Sequence, residues 1–144
     1  MIRAVLDANV VVSAILSPKG IPAKILTAWR AEEFSVVVSE AIVSEIGRVL
    51  RYPKIKRRHR WPEKQILTFL EDLAHLSVFT PGNLSLSVIA DDPADNRYLE
   101  AGQEGETDYL VSGDDHLLKL GAYQGIQIIR PREFLTVLKE RQKS

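Results

Sequence analysis

Short runs rich in β-branched and apolar residues recur at residues 2–6, 34–38, 109–111 and 125–129, and stretches of helical length lie between them. Near-continuous apolar runs of this kind read as buried strands. Strands alternating with helices connect by right-handed crossovers, so the expected fold is α/β with a mostly parallel sheet. Helices are expected over residues 10–16 and 21–33. Another should run from a Ser39 cap to just before Tyr52-Pro53, where the residue ahead of proline leaves the α region. Further helices are expected from Pro62 to about residue 74, over 94–103 and over 132–141, with a short turn of helix at 115–120. Residues 76–79 read as one more strand. Residues 85–90 read as a strand or an extended approach to a site, and 54–60 as a loop or helix extension.

The length of 144 residues fits one domain spanning residues 1–144. An apolar content of 45% with 26% charged residues is that of an ordinary globular protein. No apolar run reaches the ~18 residues of a membrane span, and Asp7 interrupts any leader-like segment at once. With no cysteine there is neither a disulfide framework nor a thiolate metal site. The expected compartment is the cytoplasm, without membrane association. Net charge is zero, but the charges are segregated. Between Arg51 and Lys64 stand seven bases against one acid, Glu63; between Asp91 and Asp115 stand nine acids against one base, Arg97. Such a chain can grip a polyanion at one place and hold cations at another, or pair with an oppositely charged surface.

Four acids sit where an open sheet would bring them together, since ligands bind outside the carboxyl ends of parallel strands. Asp7 ends the first strand, where an uncompensated carboxylate is costly; the plainer role is a turn-forming Asp, and Asn9 can orient it. On a helical wheel at 100° per residue, Ile42, Val43, Ile46, Val49 and Leu50 share one arc, while Glu40, Ser44, Gly47 and Arg48 lie opposite. Glu45 falls at the margin, free to lean into a cleft or to pair with Arg48 or Arg51. Asp92, Pro93 and Asp95 have the form of a helix start, so capping alone could account for both acids. Asp114 follows the strand at 109–111, with Gly113 permitting a tight turn; Asp115 is better placed to cap the short helix. Ser112 can orient water or a ligand, or be an ordinary turn serine. Several carboxylates together repel unless a cation neutralises them, and hard oxygen ligands suit Mg²⁺ or Mn²⁺.

Val5-Leu-Asp7-Ala8-Asn9, Ser39-Glu-Ala-Ile-Val-Ser-Glu45-Ile, Asp92-Pro-Ala-Asp95-Asn96-Arg-Tyr-Leu and Asp108-Tyr-Leu-Val-Ser112-Gly-Asp114-Asp115 occur in that order. In order and spacing they resemble the PIN-domain nucleases, in particular the VapC-like toxin components of prokaryotic toxin–antitoxin pairs. The resemblance implies a three-layer α/β/α fold and hydrolysis of RNA by Asp7, Glu45, Asp95 and Asp114 holding one or two Mg²⁺ or Mn²⁺ ions. It leaves Asn9, Ser112, Asp92 and Asp115 around those ligands. It also implies a cognate antitoxin and pairing as a homodimer. The chain departs from the family at Ala8, where a threonine hydroxyl is common.

Lys54, Lys56, Arg57, Arg58 and Arg60, with Trp61 beside them, suit phosphate contacts and base stacking; a solvated loop or a dock for an acidic partner is the alternative. His59 is expected to face solvent or phosphate, and His75 and His116 to be structural or surface residues. Trp29 follows helical spacing into a core or a subunit interface. Two other functions fit less well. A PIN-like module binding RNA or protein with little nuclease activity would not need intact acids. An aspartate phosphotransferase would want an acid at position 9, which is Asn9.

Overall fold

Strand β1 (Arg3–Leu6) runs through the middle of the fold, with Ala4 and Val5 wholly excluded from solvent. In the computed structural model, which describes residues 1–143, β1 pairs in parallel with β2 (Ser35–Val38) and with β4 (Tyr109–Val111). β3 (Val78–Phe79) lies beyond β2, and β6 (Ile126–Ile129) beyond β4, both also parallel. Among the described residues only β5 (Ala122–Tyr123), at the edge beside β6, runs antiparallel, giving the order β3-β2-β1-β4-β6-β5. The chain leaves β1 toward one side of the sheet and returns in β4 on the other. The crevice at the carboxyl ends of β1 and β4 is therefore a topological switch point.

Side chains alternate across a strand, so the register-matched Val5, Val37 and Leu110 share one face. Helix α6 (Asn96–Glu104) lies on that face at very close approach. A Cβ at Gly102 would stand 2.9 Å from Ile126 Cδ1, and one at Gly105 2.5 Å from Val37 Cγ1. Only glycine lets the helix sit so near the sheet. The other face receives α8 (Pro131–Lys143), whose Phe134 meets Phe34 and Tyr109 at 4.9 and 5.8 Å between ring centroids. Helices α1 (Ala8–Leu16), α2 (Ile21–Arg30), α3 (Glu40–Leu50) and α5 (Glu63–Leu76) complete the packing. Trp29 of α2 is buried in this core. The architecture is the expected three-layer α/β/α, and Ser39 caps α3 as expected, its hydroxyl accepting from the Ile42 N–H. Among the described residues no single helix is long and apolar enough to cross a membrane.

Several local expectations are corrected. The basic stretch forms its own helix, α4 (Pro53–His59), entered at Pro53 and ended by Arg60 in the left-handed region. Gly47, placed on the outer arc of α3, is buried, because α3 also packs against α5: a Cβ there would lie 2.9 Å from Leu70 Cδ1. β5 and β6 form a hairpin through Gln124 and Gly125, both with positive φ, a pairing the apolar pattern does not signal. Residues 85–90 form neither helix nor strand. Together with Asn83 they are tied along α6: Glu104 accepts from the Asn83 N–H, Glu100 from Leu86, and Asn96 from both Val88 and Ile89, at 2.8–3.0 Å. The buried Asn96 amide also donates to the Ile89 and Pro93 carbonyls. Asn96 thus satisfies all of its side-chain bonding capacity.

Candidate functional site

Asp7 stands at the end of β1 and is 4% exposed. Its Oδ2 accepts from the Ser112 hydroxyl at 2.7 Å, and its Oδ1 accepts from the Asn9 backbone N–H at 3.1 Å. Asn9 therefore orients Asp7 through its main chain, as the first turn of α1 begins. Tyr98, on α6, closes over this corner, its hydroxyl accepting from the Ala8 N–H at 3.2 Å. Burial pushes the Asp7 carboxyl up, opposed by the bonds from Ser112, Asn9 and Tyr98 and reinforced by the charge of Asp114. Burial and the Asp7 charge also raise the Tyr98 phenol, which stays protonated.

Ser112 is wholly buried and links two acids. While donating to Asp7 it accepts from the Asp114 N–H at 2.9 Å. It is thus more than an ordinary turn serine. Asp114 then caps α7 (Asp115–Leu120), its Oδ1 accepting from the His116 and Leu117 N–H groups at 2.8 and 3.2 Å. The cap expected from Asp115 is made one residue earlier, and Asp115 is exposed in the first turn. Gly113 does not use a positive φ, so the turn there asks nothing special of glycine.

Asp92 and Asp95 precede α6, with a 3₁₀ turn at Pro93–Asp95. Neither carboxylate makes a side-chain capping bond, so helix capping does not account for this pair. Among the described residues no N–H or hydroxyl donates to the buried Asp95 Oδ2. Burial first, then the charges of Asp114, Asp92 and Asp7, with a carboxyl–carboxylate hydrogen bond to Asp114, push the Asp95 carboxyl up from 3.8 to about 7. A buried oxygen that no N–H or hydroxyl serves, set among like charges, is what a cation would relieve.

Glu45 sits at the margin of the buried face of α3, its side chain 18% exposed. Its Oε2 accepts from Arg97 at 2.7 Å and from Arg48. The anticipated pairing with Arg48 is present, whereas Arg51 pairs instead with Glu63 at 2.6 Å. Asp7, Asn9, Glu45, Asp92, Asp95 and Asp114 all line one cleft of about 170 Å³ at the switch point. Three of these acids, Asp92, Asp95 and Asp114, and His116, which does not line the cleft, have ligand atoms within 4.8 Å of one another, a set that could hold a metal ion. His116, read from sequence as structural or surface, joins this set through the turn that Asp114 caps. Three carboxylates and one imidazole, with no thiolate, make a mainly hard-oxygen donor set that could take a divalent metal ion. Arg97 and Tyr98 were missed as site residues; their only sequence signal was their place directly after Asp95-Asn96.

The basic cluster is a separate surface. Lys54, Lys56, Arg57, Arg58 and Arg60 are all exposed on or just after α4. His59 is not phosphate-facing: its Nδ1 accepts from the Trp61 N–H and its Nε2 bonds the Leu50 carbonyl, both at 2.8 Å. Trp61 packs between His59 and Phe69, at 5.5 and 5.8 Å between ring centroids, so its rings are engaged rather than offered for stacking.

Comparison with known proteins agrees with this arrangement. The family model described as the PIN domain matches residues 3–116, which include every acid of the cleft. A relative from Methanocaldococcus jannaschii, named Uncharacterized protein MJ1680, is 33% identical over 119 residues, covering 83% of this chain and 75% of that protein. With its fold, its convergent acids and these matches, the chain belongs to the PIN-domain family, whose members are generally metal-dependent nucleases.

Proposed function

We propose that this protein is an Mg²⁺- or Mn²⁺-dependent endoribonuclease, acting in the cytoplasm as the toxin of a toxin–antitoxin pair. The observation that carries the nuclease reading is the buried Asp95 Oδ2, which no N–H or hydroxyl among the described residues serves, amid convergent acids. Asp7, Asp95 and Asp114 are the proposed catalytic acids, with Asp92 and His116 beside them and Glu45 at the cleft margin, paired with Arg97 and Arg48. A divalent ion held there would supply charge that acidifies a water and stabilises the extra charge on the phosphate. Hydrolysis joins the water oxygen to phosphorus and breaks one ester P–O bond. One cleft carboxylate takes the water proton, and the departing oxygen gains a proton from solvent. Ser112 and Tyr98 hold Asp7 in place during this exchange. Lys54, Lys56, Arg57, Arg58 and Arg60 are proposed to carry RNA phosphates, which their exposure supports. The toxin role, with a homodimer silenced by an antitoxin, follows from the likeness to VapC-like proteins.

The test is cleavage of end-labelled, structured RNA by the purified protein with Mg²⁺ or Mn²⁺, beside EDTA and a folded Asp7→Asn variant. Discrete cuts that need metal and vanish in the variant are expected. RNA binding without cleavage, in protein that binds Mn²⁺, would instead favour a PIN-like binding module.

A further inference from the structure

The acidic cleft contains one cation that is built in. Arg97 is fixed at two points: its Nε donates to the Ala94 carbonyl at 2.8 Å, and its Nη1 donates to Glu45 Oε2 at 2.7 Å. Its side chain is 22% exposed, and it shares the cleft wall with Asp95 and Asp114. Arg48 reaches the same Glu45 oxygen but is 60% exposed, a loose tether by comparison. The Nη2 of Arg97 makes no hydrogen bond among the described residues. A planar guanidinium held this way presents donors in a fixed direction, the geometry that suits a phosphate oxygen.

The charges at the site fall into two groups. Asp92, Asp95, Asp114 and His116 gather into one set of ligand atoms. Glu45, outside that set, is already matched by two guanidinium groups, which would repel a second dication. Two-metal nucleases use ions about 3.5–4 Å apart to stabilise both the attacking and the leaving oxygen. We propose that Arg97 takes the place of the second ion, donating to a non-bridging oxygen of the scissile phosphate, with Glu45 as the positioning residue that aims it and a single divalent ion sufficing. This rests on the metal-nuclease reading above.

The experiment combines calorimetric titration with Mn²⁺ and turnover of bis(4-nitrophenyl) phosphate, a diester without sequence, alongside RNA cleavage. Wild type, Arg97→Ala, Arg97→Lys and Glu45→Gln are compared at matched thermal stability. One Mn²⁺ per chain is expected in wild type and in Arg97→Ala, with dissociation constants within threefold. kcat in Arg97→Ala should fall about 100- to 1,000-fold, the usual loss of one preorganised charge stabiliser. Arg97→Lys should recover part of it, since lysine keeps the charge but not the fork. Glu45→Gln should lower turnover less and leave Mn²⁺ stoichiometry unchanged. Two Mn²⁺ per wild-type chain would overturn the proposal. So would Arg97→Ala turnover within threefold of wild type, or loss of Mn²⁺ binding in that variant. Wild type that binds Mn²⁺ but hydrolyses neither substrate would remove Arg97 as a catalytic residue. Absence of Mn²⁺ binding in wild type would instead sink the metal-nuclease reading itself.

Discussion

Replacing Asp95 by asparagine keeps the shape of the side chain and removes its charge, so thermal stability reads what that charge costs the fold. The carboxyl is pushed up from 3.8 to about 7, by burial and then by Asp114, Asp92 and Asp7. The folded chain thus holds this proton more tightly than the unfolded chain. The stability so conferred is complete below about 3.8 and lost as the pH rises through about 7. At about 1.4 kcal/mol per pH unit, the ceiling across that window is roughly 4 kcal/mol. The residue is only partly buried and solvent screens it, leaving about 1–2 kcal/mol. Asp95→Asn should therefore melt above wild type at pH 8 in EDTA, by roughly 3–6 °C for a chain of this length. At pH 5 the folded wild type carries the proton while the unfolded chain has largely lost it, so the gap should narrow without closing. Added Mn²⁺ should reverse the order by stabilising wild type through binding. Differential scanning fluorimetry at the two pH values measures all three. A variant that melts below wild type at pH 8 in EDTA, or an equal gap at both pH values, would refute the reasoning.

Three further outcomes follow from particular contacts. Ser112→Ala removes the donor to buried Asp7 and the acceptor for the Asp114 N–H, and should cost about 2–3 kcal/mol in urea denaturation; a loss under ~0.5 kcal/mol would show that water replaces the hydroxyl. Asn96→Ala strands four bonding partners, and should speed amide exchange at Val88 and Ile89 more than tenfold while exchange in β1 changes far less. Changing Lys54, Arg57 and Arg58 to Ala together should weaken RNA binding and lower its log–log salt slope by about 2, near 0.7 per phosphate contact on a single strand. An unchanged slope would mean that α4 faces another partner.

Asp7 and Asp114 were legible because each interrupts or follows an apolar strand, and strand ends are fixed by local pattern. Glu45 was legible at the margin of its helix because the 100° arc depends on that helix alone. Gly47 was misplaced for the complementary reason: a wheel shows one buried face, and α3 has a second neighbour in α5. The Asp114 cap, one residue before the expected Asp115, turns on backbone direction leaving β4, which composition does not encode. His116 and Arg97 were out of reach by sequence because their partners are the site itself. Arg97 meets Glu45 across 52 positions of sequence, through the packing of α6 and α3. The β5–β6 hairpin was hidden by strands of two and four residues and a Gln-Gly turn weaker in signal than Asn-Gly.

The tie between α6 and residues 83–89 uses the main chain of the segment and the side chains of the helix. The segment's own side chains at Ser85, Ser87 and Val88 are exposed and contribute none of these bonds. Their identity is therefore nearly independent of the fold, while Asn96, Glu100 and Glu104 are not exchangeable in the same way. The segment behaves as a cassette: its path is dictated by a neighbour, and its outward chemistry can be rewritten. It leads directly into Asp92 and Asp95, so rewriting it changes what surrounds the cleft without moving the acids. Grafting the corresponding stretch of a related chain between Asn83 and Ile89 would transfer surface character while leaving the geometry of the acidic cleft in place.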